Sequence, residues 1–144
     1  MTLQRTDVGR GQVTPGTAAR SPEVFVPLAA RDAVPAFWEW RSAFVEDPLK
    51  SGKWDRTGVR MLIGTRVEDV NMMTWPDKSD FRLRCEALRS AGGVGDILRV
   101  EKTPFATGYE YVVNIIPLGT SQYAASLAQC TNPVRNSTRR WGYV

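Results

Sequence analysis

The sequence predicts a mostly β fold, a partly open barrel of about seven strands with short helices at its ends. Three observations support this prediction. Strand-like segments, apolar or alternating in polarity, recur along the chain. The helical patterns are short, with no internal repeat and no strand–helix alternation of the kind that builds parallel sheets. The most regular stretch, residues 80–101, has the order strand, short helix, turn, strand.

That stretch is defined by local signals. Apolar and charged residues alternate over 81–83, residues 86–89 form one or two helical turns, and Gly92-Gly93 ends them. Gly95-Asp96 has the chemistry of a turn, and alternation resumes over 97–101. The stretch carries no catalytic group, so its value is in the fold that it indicates.

The other elements follow in chain order. Strands are predicted at 24–27, 59–63, 66–73 and 109–117, a turn of helix at 29–33, and a longer helix at 121–129. The aromatic segment 37–45 fits neither a helical nor a strand period, and its rings are expected mainly in the core. Loops are predicted at 46–57 and 74–80. The basic end of the chain, 131–144, is predicted to be an irregular tail.

Length and composition indicate one ordinary globular domain spanning residues 1–144. The sequence has no apolar run of membrane-spanning length and no N-terminal signal pattern, so a cytoplasmic protein without a membrane partner is expected. Cys85 and Cys130 are too few for a disulfide scaffold and are expected as thiols.

The chain contains no histidine. This excludes zinc-hydrolase motifs, Ser-His-Asp triads and phospholipase-D-type active sites, and leaves only carboxylate or lysine mechanisms open to an enzyme. The formal charge is +4, which suits a polyanionic partner without requiring one. No catalytic group, cofactor or metal is therefore expected.

Residues 1–23 are rich in threonine, glycine, arginine and proline, with almost no apolar periodicity. Two interpretations of this N-terminal segment are open. It is a disordered leader, which composition alone favours, or an arm that becomes ordered on a ligand.

Four short segments, in this order and spacing, resemble a B3-type DNA-recognition domain, a family that includes plant transcription-factor domains and the target-reading domains of some restriction endonucleases. They are residues 6–10 (TDVGR), residues 24–27 (VFVP) with Val34-Pro35 downstream, residues 81–88, and residues 95–98 (GDIL). The match spans roughly residues 5–115. The ending, 130–143, looks closest to bacterial restriction enzymes in which such a domain sits beside a phospholipase-D-like nuclease. This chain has no such nuclease half, so any cleavage would belong to another domain or chain.

The resemblance implies a seven-stranded B3-like pseudobarrel with two arms that clasp duplex DNA at the major groove. By position, the first arm covers about residues 6–23 and the second about 71–80. In the first arm, Arg10 and Arg20 can each reach guanine O6 and N7, and Gln12 can pair with adenine N6 and N7. In the second arm, Asn71 and Lys78 supply further donors.

The remaining site residues implied by the resemblance contact other parts of the duplex. Asp7 and Asp77 can accept a hydrogen bond from a cytosine amino group, and Trp75 can pack on a sugar or a thymine methyl. Hydroxyl groups suited to phosphate oxygens are carried by Thr6, Thr14, Thr17, Thr74 and Ser79. Together these residues predict a sequence-specific, non-catalytic reader of double-stranded DNA, the recognition part of a restriction-modification system.

Three other functions stay open. A β-barrel RNA-binding domain would stack bases on Trp38, Trp40 and Trp75. A structural subunit would use the N-terminal arm and the basic tail to bind another protein. A metal nuclease around Asp96 and Glu101-Lys102 is the weakest alternative, because these residues do not have the acid-then-lysine spacing of familiar metal nucleases.

Overall fold

The computed structural model describes residues 1–9, 22–78 and 80–144. Its strands are β1 Glu23–Pro27, β2 Val45–Glu46, β3 Trp54–Ile63, β4 Arg66–Trp75, β5 Asp80–Arg84, β6 Ile97–Lys102, β7 Tyr111–Ile116, β8 Asn132–Pro133 and β9 Arg140–Trp141. Its α-helices are α1 Leu28–Ala33, α2 Pro35–Trp38, α3 Glu86–Ala91 and α4 Ser121–Gln129. Two 3₁₀ turns lie at Pro76–Lys78 and Phe105–Thr107.

Seven strands form one mixed sheet that curls into a half-barrel. The strand order is β1-β5-β4-β3-β7-β6, with β2 paired to β3. All pairings in this sheet are antiparallel except β3 with β7. The prediction of a mostly β, partly open barrel with short helices is therefore confirmed.

The inner face of the half-barrel holds the core. Alternate residues of the strands point into it, and Phe81, Met72 and Tyr111 have no exposed surface. The α2 residue Trp38 covers them, with its ring 5.1 Å from that of Phe81 in an edge-to-face arrangement. The aromatic segment 37–45 thus places Trp38 and Phe44 in the core as predicted.

Tyr111 carries the main polar group of this aromatic cluster. Its hydroxyl donates a hydrogen bond to the carbonyl oxygen of Phe37 at 2.6 Å and lies 3.4 Å from a guanidinium nitrogen of Arg56. Burial raises the pKa of Tyr111 to about 12 despite the nearby positive charge of Arg56. The neutral phenol is therefore the form that this core accommodates.

Both ends of the chain are more ordered than their composition indicates. Thr2 bridges to Ile97 on the free edge of β6, and Leu3 is buried. The prediction of an irregular tail at 131–144 is wrong, because β8 pairs with β9 there and Trp141 packs in the core. These segments are too short to show a periodicity in the sequence, and long-range packing orders them.

Two predicted loops are shorter than expected. Residues 54–57 belong to β3, and β4 continues through Trp75, after which the 3₁₀ turn Pro76–Lys78 leads towards β5. The β3 register with β4 shifts between Arg56 and Val59, where Gly58 has a φ of 67°. This bulge breaks the alternation that would have extended the predicted strand.

Candidate nucleic-acid interface

The base of the first arm is fixed by one buried arginine on α3. The Arg89 guanidinium donates hydrogen bonds to the carbonyl oxygens of Thr6, Val8 and Gly9, each at 2.8 Å, and of Glu23 at 3.1 Å. These four carbonyls flank residues 10–21 on both sides, so a single side chain joins the two ends of the arm. The short helix in the regular stretch 80–101 therefore holds the arm's base in place.

Asp7 is a second anchor of the same base and has no exposed surface. Its carboxylate accepts hydrogen bonds from the backbone N–H groups of Gln4 and Phe25, both at 2.9 Å, and pairs with the buried guanidinium of Arg139. The predicted contact between Asp7 and a cytosine amino group does not fit this position. The sequence shows Asp7 only as a polar residue in a polar segment and does not reveal its partner 132 residues away.

The second arm is the β4–β5 hairpin with its turn Pro76–Lys78. Asp77 and Lys78 are exposed at the tip, and Trp75 is half-buried beside it. Thr74 instead points inward with no exposed surface, and its hydroxyl accepts a hydrogen bond from Arg31 at 2.5 Å. Thr74 therefore supports the hairpin from inside and is not placed to meet a phosphate.

The outer face of β1, β5 and β4 joins the two arms, and we call it the arm face: Phe25, Asn71, Trp75, Arg82 and Arg84. These residues alternate along their strands with the inward-pointing core residues, and the same face also holds Met73, the register partner of Arg82, which is buried. The Arg82 guanidinium lies 5.0 Å from the ring centres of both Phe25 and Trp75. It also pairs with Glu23 at 2.7 Å. An ordered cation thus lies between two aromatic rings at the centre of the face.

Arg84 and Asn71 form the end of the arm face nearest the first arm. They are register partners in the β4–β5 ladder, and Arg84 is also the register partner of Glu23 in the β1–β5 ladder. Asn71 accepts a hydrogen bond from the backbone N–H of Gly58 at 3.2 Å, which leaves its amide donors available. Arg84 is exposed, and within residues 1–9, 22–78 and 80–144 its guanidinium has no hydrogen-bonding or ionic partner.

The arm face is as wide as one groove of DNA. The first arm starts beside Arg84, and the tip of the second arm follows Trp75, the register partner of Asp80. Arg84 and Asp80 are four residues apart along β5, which is about 13 Å at ~3.3 Å per residue. The major groove of B-DNA is about 12 Å wide. The described end of the first arm and the start of the hairpin tip are therefore separated along β5 by a distance close to this width.

Lys53 adds a cation at the second arm. Its ammonium group lies 5.8 Å from the Trp75 ring centre and bonds the carboxylates of Asp55 at 2.7 Å and Asp47 at 3.2 Å. Burial acts to lower the pKa of Lys53, but the hydrogen bonds to these two carboxylates outweigh it and raise the pKa above its usual value. Lys53 therefore remains charged at neutral pH.

Several predicted site residues lie outside the described residues: Arg10, Gln12, Thr14, Thr17, Arg20 and Ser79. Of the others, Thr6 is exposed at the base of the first arm, while Asn71, Trp75, Asp77 and Lys78 are grouped on or beside the second. Arg82 and Arg84, which also lie on the arm face, are not among the predicted site residues. Their alternation with Phe81 and Leu83 was the available signal that they share one face.

The residues named for RNA binding and for a metal nuclease are buried or already paired within the fold. Trp38 is 4% exposed and cannot stack a base without unfolding of its cluster. Asp96 accepts hydrogen bonds from the backbone N–H groups of Gly93 and Leu118. Glu101 pairs with Arg99, and Lys102 pairs with Glu39. In the described part of the chain, no three His, Cys, Asp or Glu side chains are grouped to hold a metal.

No helix among the described residues has the length and apolar character needed to cross a membrane. Neither the models of known protein families nor the curated protein sequences include a match to this chain.

Proposed function

We propose that this chain is a non-catalytic module that reads a short sequence of duplex DNA through its two arms in the major groove. It has the character of a B3-like recognition domain of a restriction-modification system, and a nuclease in another domain or chain would cleave. The observation that carries the proposal is the arm face, a surface about one groove wide whose donors lie between the anchored base of the first arm and the tip of the β4–β5 hairpin.

The arm face offers the two kinds of contact that a DNA reader needs. The free donors of Arg84 and Asn71 suit base edges, since a guanidinium fits guanine and an amide fits adenine. Lys78 at the hairpin tip suits phosphate as a point charge. The half-buried ring of Trp75, already ordered by Arg82, offers an apolar surface to a sugar or a thymine methyl.

The first arm would supply the remaining base contacts, with Arg10, Arg20 and Gln12 as its readers. Arg89 supports this role because it fixes both ends of the arm to the same scaffold that carries the second arm. A loop with joined and anchored ends loses less conformational freedom on binding than a free tail. Such preorganisation favours selective contacts over loose electrostatic attraction.

The test uses a duplex that the protein selects from a random library. Arg84→Ala and Asn71→Ala should each weaken binding to the selected duplex by about 1–3 kcal/mol, and should weaken binding to a random duplex less. Arg66→Ala is the matched control, because Arg66 lies in the β3–β4 turn region with its side chain 83% exposed. Equal losses on both duplexes would refute base reading by the arm face.

The RNA-binding alternative predicts a different result in a parallel titration. Base stacking on Trp75 would quench tryptophan fluorescence with single-stranded RNA and leave it unchanged with duplex DNA. The proposal predicts the opposite preference.

A further inference from the structure

Arg41, which is not one of the predicted site residues, has its guanidinium group beside two tryptophan rings. The Arg41 guanidinium carbon lies 4.7 Å from the ring centre of Trp54 and 5.5 Å from that of Trp40. The two rings are 5.9 Å apart and nearly perpendicular, at 87°, so they form a corner that Arg41 occupies. Cation–π contacts of this kind attract a guanidinium to the rings without using its N–H groups as hydrogen-bond donors.

That N–H edge has no partner among the described residues. Arg41 is exposed, and no hydrogen bond or ion pair within residues 1–9, 22–78 and 80–144 engages its guanidinium. Arg31 differs in this respect. Its guanidinium carbon lies 4.2 Å from the ring centre of Trp40, but its N–H groups donate hydrogen bonds to Asp32 and Thr74. Arg41 thus contacts two aromatic rings while its guanidinium donors have no partner in the part of the chain that the structure describes.

The corner lies beside the second arm, on the side opposite the arm face. Trp54 is the register partner of Thr74, the residue before Trp75. Arg31 joins the Trp40 ring to the inward-pointing hydroxyl of Thr74. On the outer side of the hairpin, Arg82 and Lys53 contact the ring of Trp75. On the inner side, where Thr74 points, Arg31 contacts Trp40 and Arg41 contacts Trp54.

An arm in the major groove is flanked by the phosphates of both strands, because the groove is only about 12 Å wide. We propose that Arg41 is a phosphate-binding residue for one of these strands, held ready by Trp40 and Trp54. This inference rests on the proposed function, and it adds a backbone contact that positions the second arm without reading sequence. The planar fork of the guanidinium can engage two oxygens of one phosphate.

The experiment measures duplex affinity against salt concentration for the wild-type chain and for Arg41→Gln. Each phosphate contact contributes about 0.9 to the slope of log affinity against log salt. Arg41→Gln should therefore lower the slope by about 0.9 and weaken selected and random duplexes equally, by about tenfold at low salt. Arg41→Lys should retain the slope but bind less tightly, because it keeps the charge and loses the stacked fork.

Arg66→Gln removes the same charge about 30 Å along β4 from Trp75, at ~3.3 Å per residue, and should change the slope little. Thermal unfolding of each variant checks that the exposed substitutions leave the fold intact. A wild-type slope in Arg41→Gln would overturn the role of Arg41 and leave the proposed function standing. Absence of duplex binding by the wild-type chain would overturn both.

Discussion

Replacement of Asp7 by alanine should destabilise the fold strongly, although a polar residue in a polar segment gives no such indication. In the structure the carboxylate has no exposed surface and pairs with the buried Arg139. Removal of one partner of a buried ion pair costs about 3–5 kcal/mol, because the other charge stays buried without compensation. The N–H groups of Gln4 and Phe25 also lose their acceptor.

The measurement is urea-induced unfolding, with thermal unfolding as a second readout. Asp7→Ala should lower the free energy of unfolding by about 4 kcal/mol and the Tm by about 10 °C. Asp77→Ala is the matched control, because Asp77 is exposed at the hairpin tip and should change stability by less than about 0.5 kcal/mol.

A double-mutant cycle isolates the ion pair from the other contacts. Arg139→Met should destabilise the Asp7→Ala chain much less than it destabilises the wild type, with a coupling energy of about 2–3 kcal/mol. A loss below about 1 kcal/mol for Asp7→Ala, or additive effects of the two substitutions, would refute the assignment of Asp7 to the interior anchor.

Three further predictions follow from the same structure. Because the folded chain holds the pKa of Tyr111 at about 12, against about 10 when unfolded, the unfolded chain releases this proton first. This contribution to stability is fully present below pH 10 and should be lost, by about 3 kcal/mol in total, as the pH rises through 12; a Tyr111→Phe chain with the same decline in urea unfolding would contradict this. Arg89→Met should lower stability by about 3 kcal/mol and weaken duplex binding, whereas Arg99→Met, at an exposed pair with Glu101, should do neither. Gly142→Ala should cost about 1–3 kcal/mol, because the added carbon would lie 1.9 Å from the carbonyl oxygen of Gln129, and Gly93→Ala, whose nearest neighbour is the Asp96 carboxylate at 3.5 Å, is its control.

Local patterns were sufficient for the fold class and for the regular elements. Helix α4, Ser121–Gln129, has the predicted bounds, because an alanine-rich segment has high helix propensity. Strand β1 is Glu23–Pro27 where 24–27 was predicted, since a run of apolar residues ended by proline is a local signal. The parallel pairing of β3 with β7 has no local signal and was not predicted.

The candidate site was predictable only in part, for a physical reason. The grouping of Asn71, Trp75, Asp77 and Lys78 could be predicted because they are near one another in sequence as well as in space. The roles of Asp7, Thr74 and Arg89 depend on partners more than 40 residues away in the chain. Whether a charged or polar group is buried depends on these distant partners. The residues next to it in the sequence therefore do not predict its burial.

The central claim, that the chain reads duplex DNA between its two arms, is tested most directly by selection of bound duplexes from a random library. A sequence-reading chain should enrich one short motif over several rounds, with weaker binding to single strands of the same sequence and a steep loss of affinity with salt. Recovery of a pool with the composition of the input, or preferential binding to single strands, would contradict it.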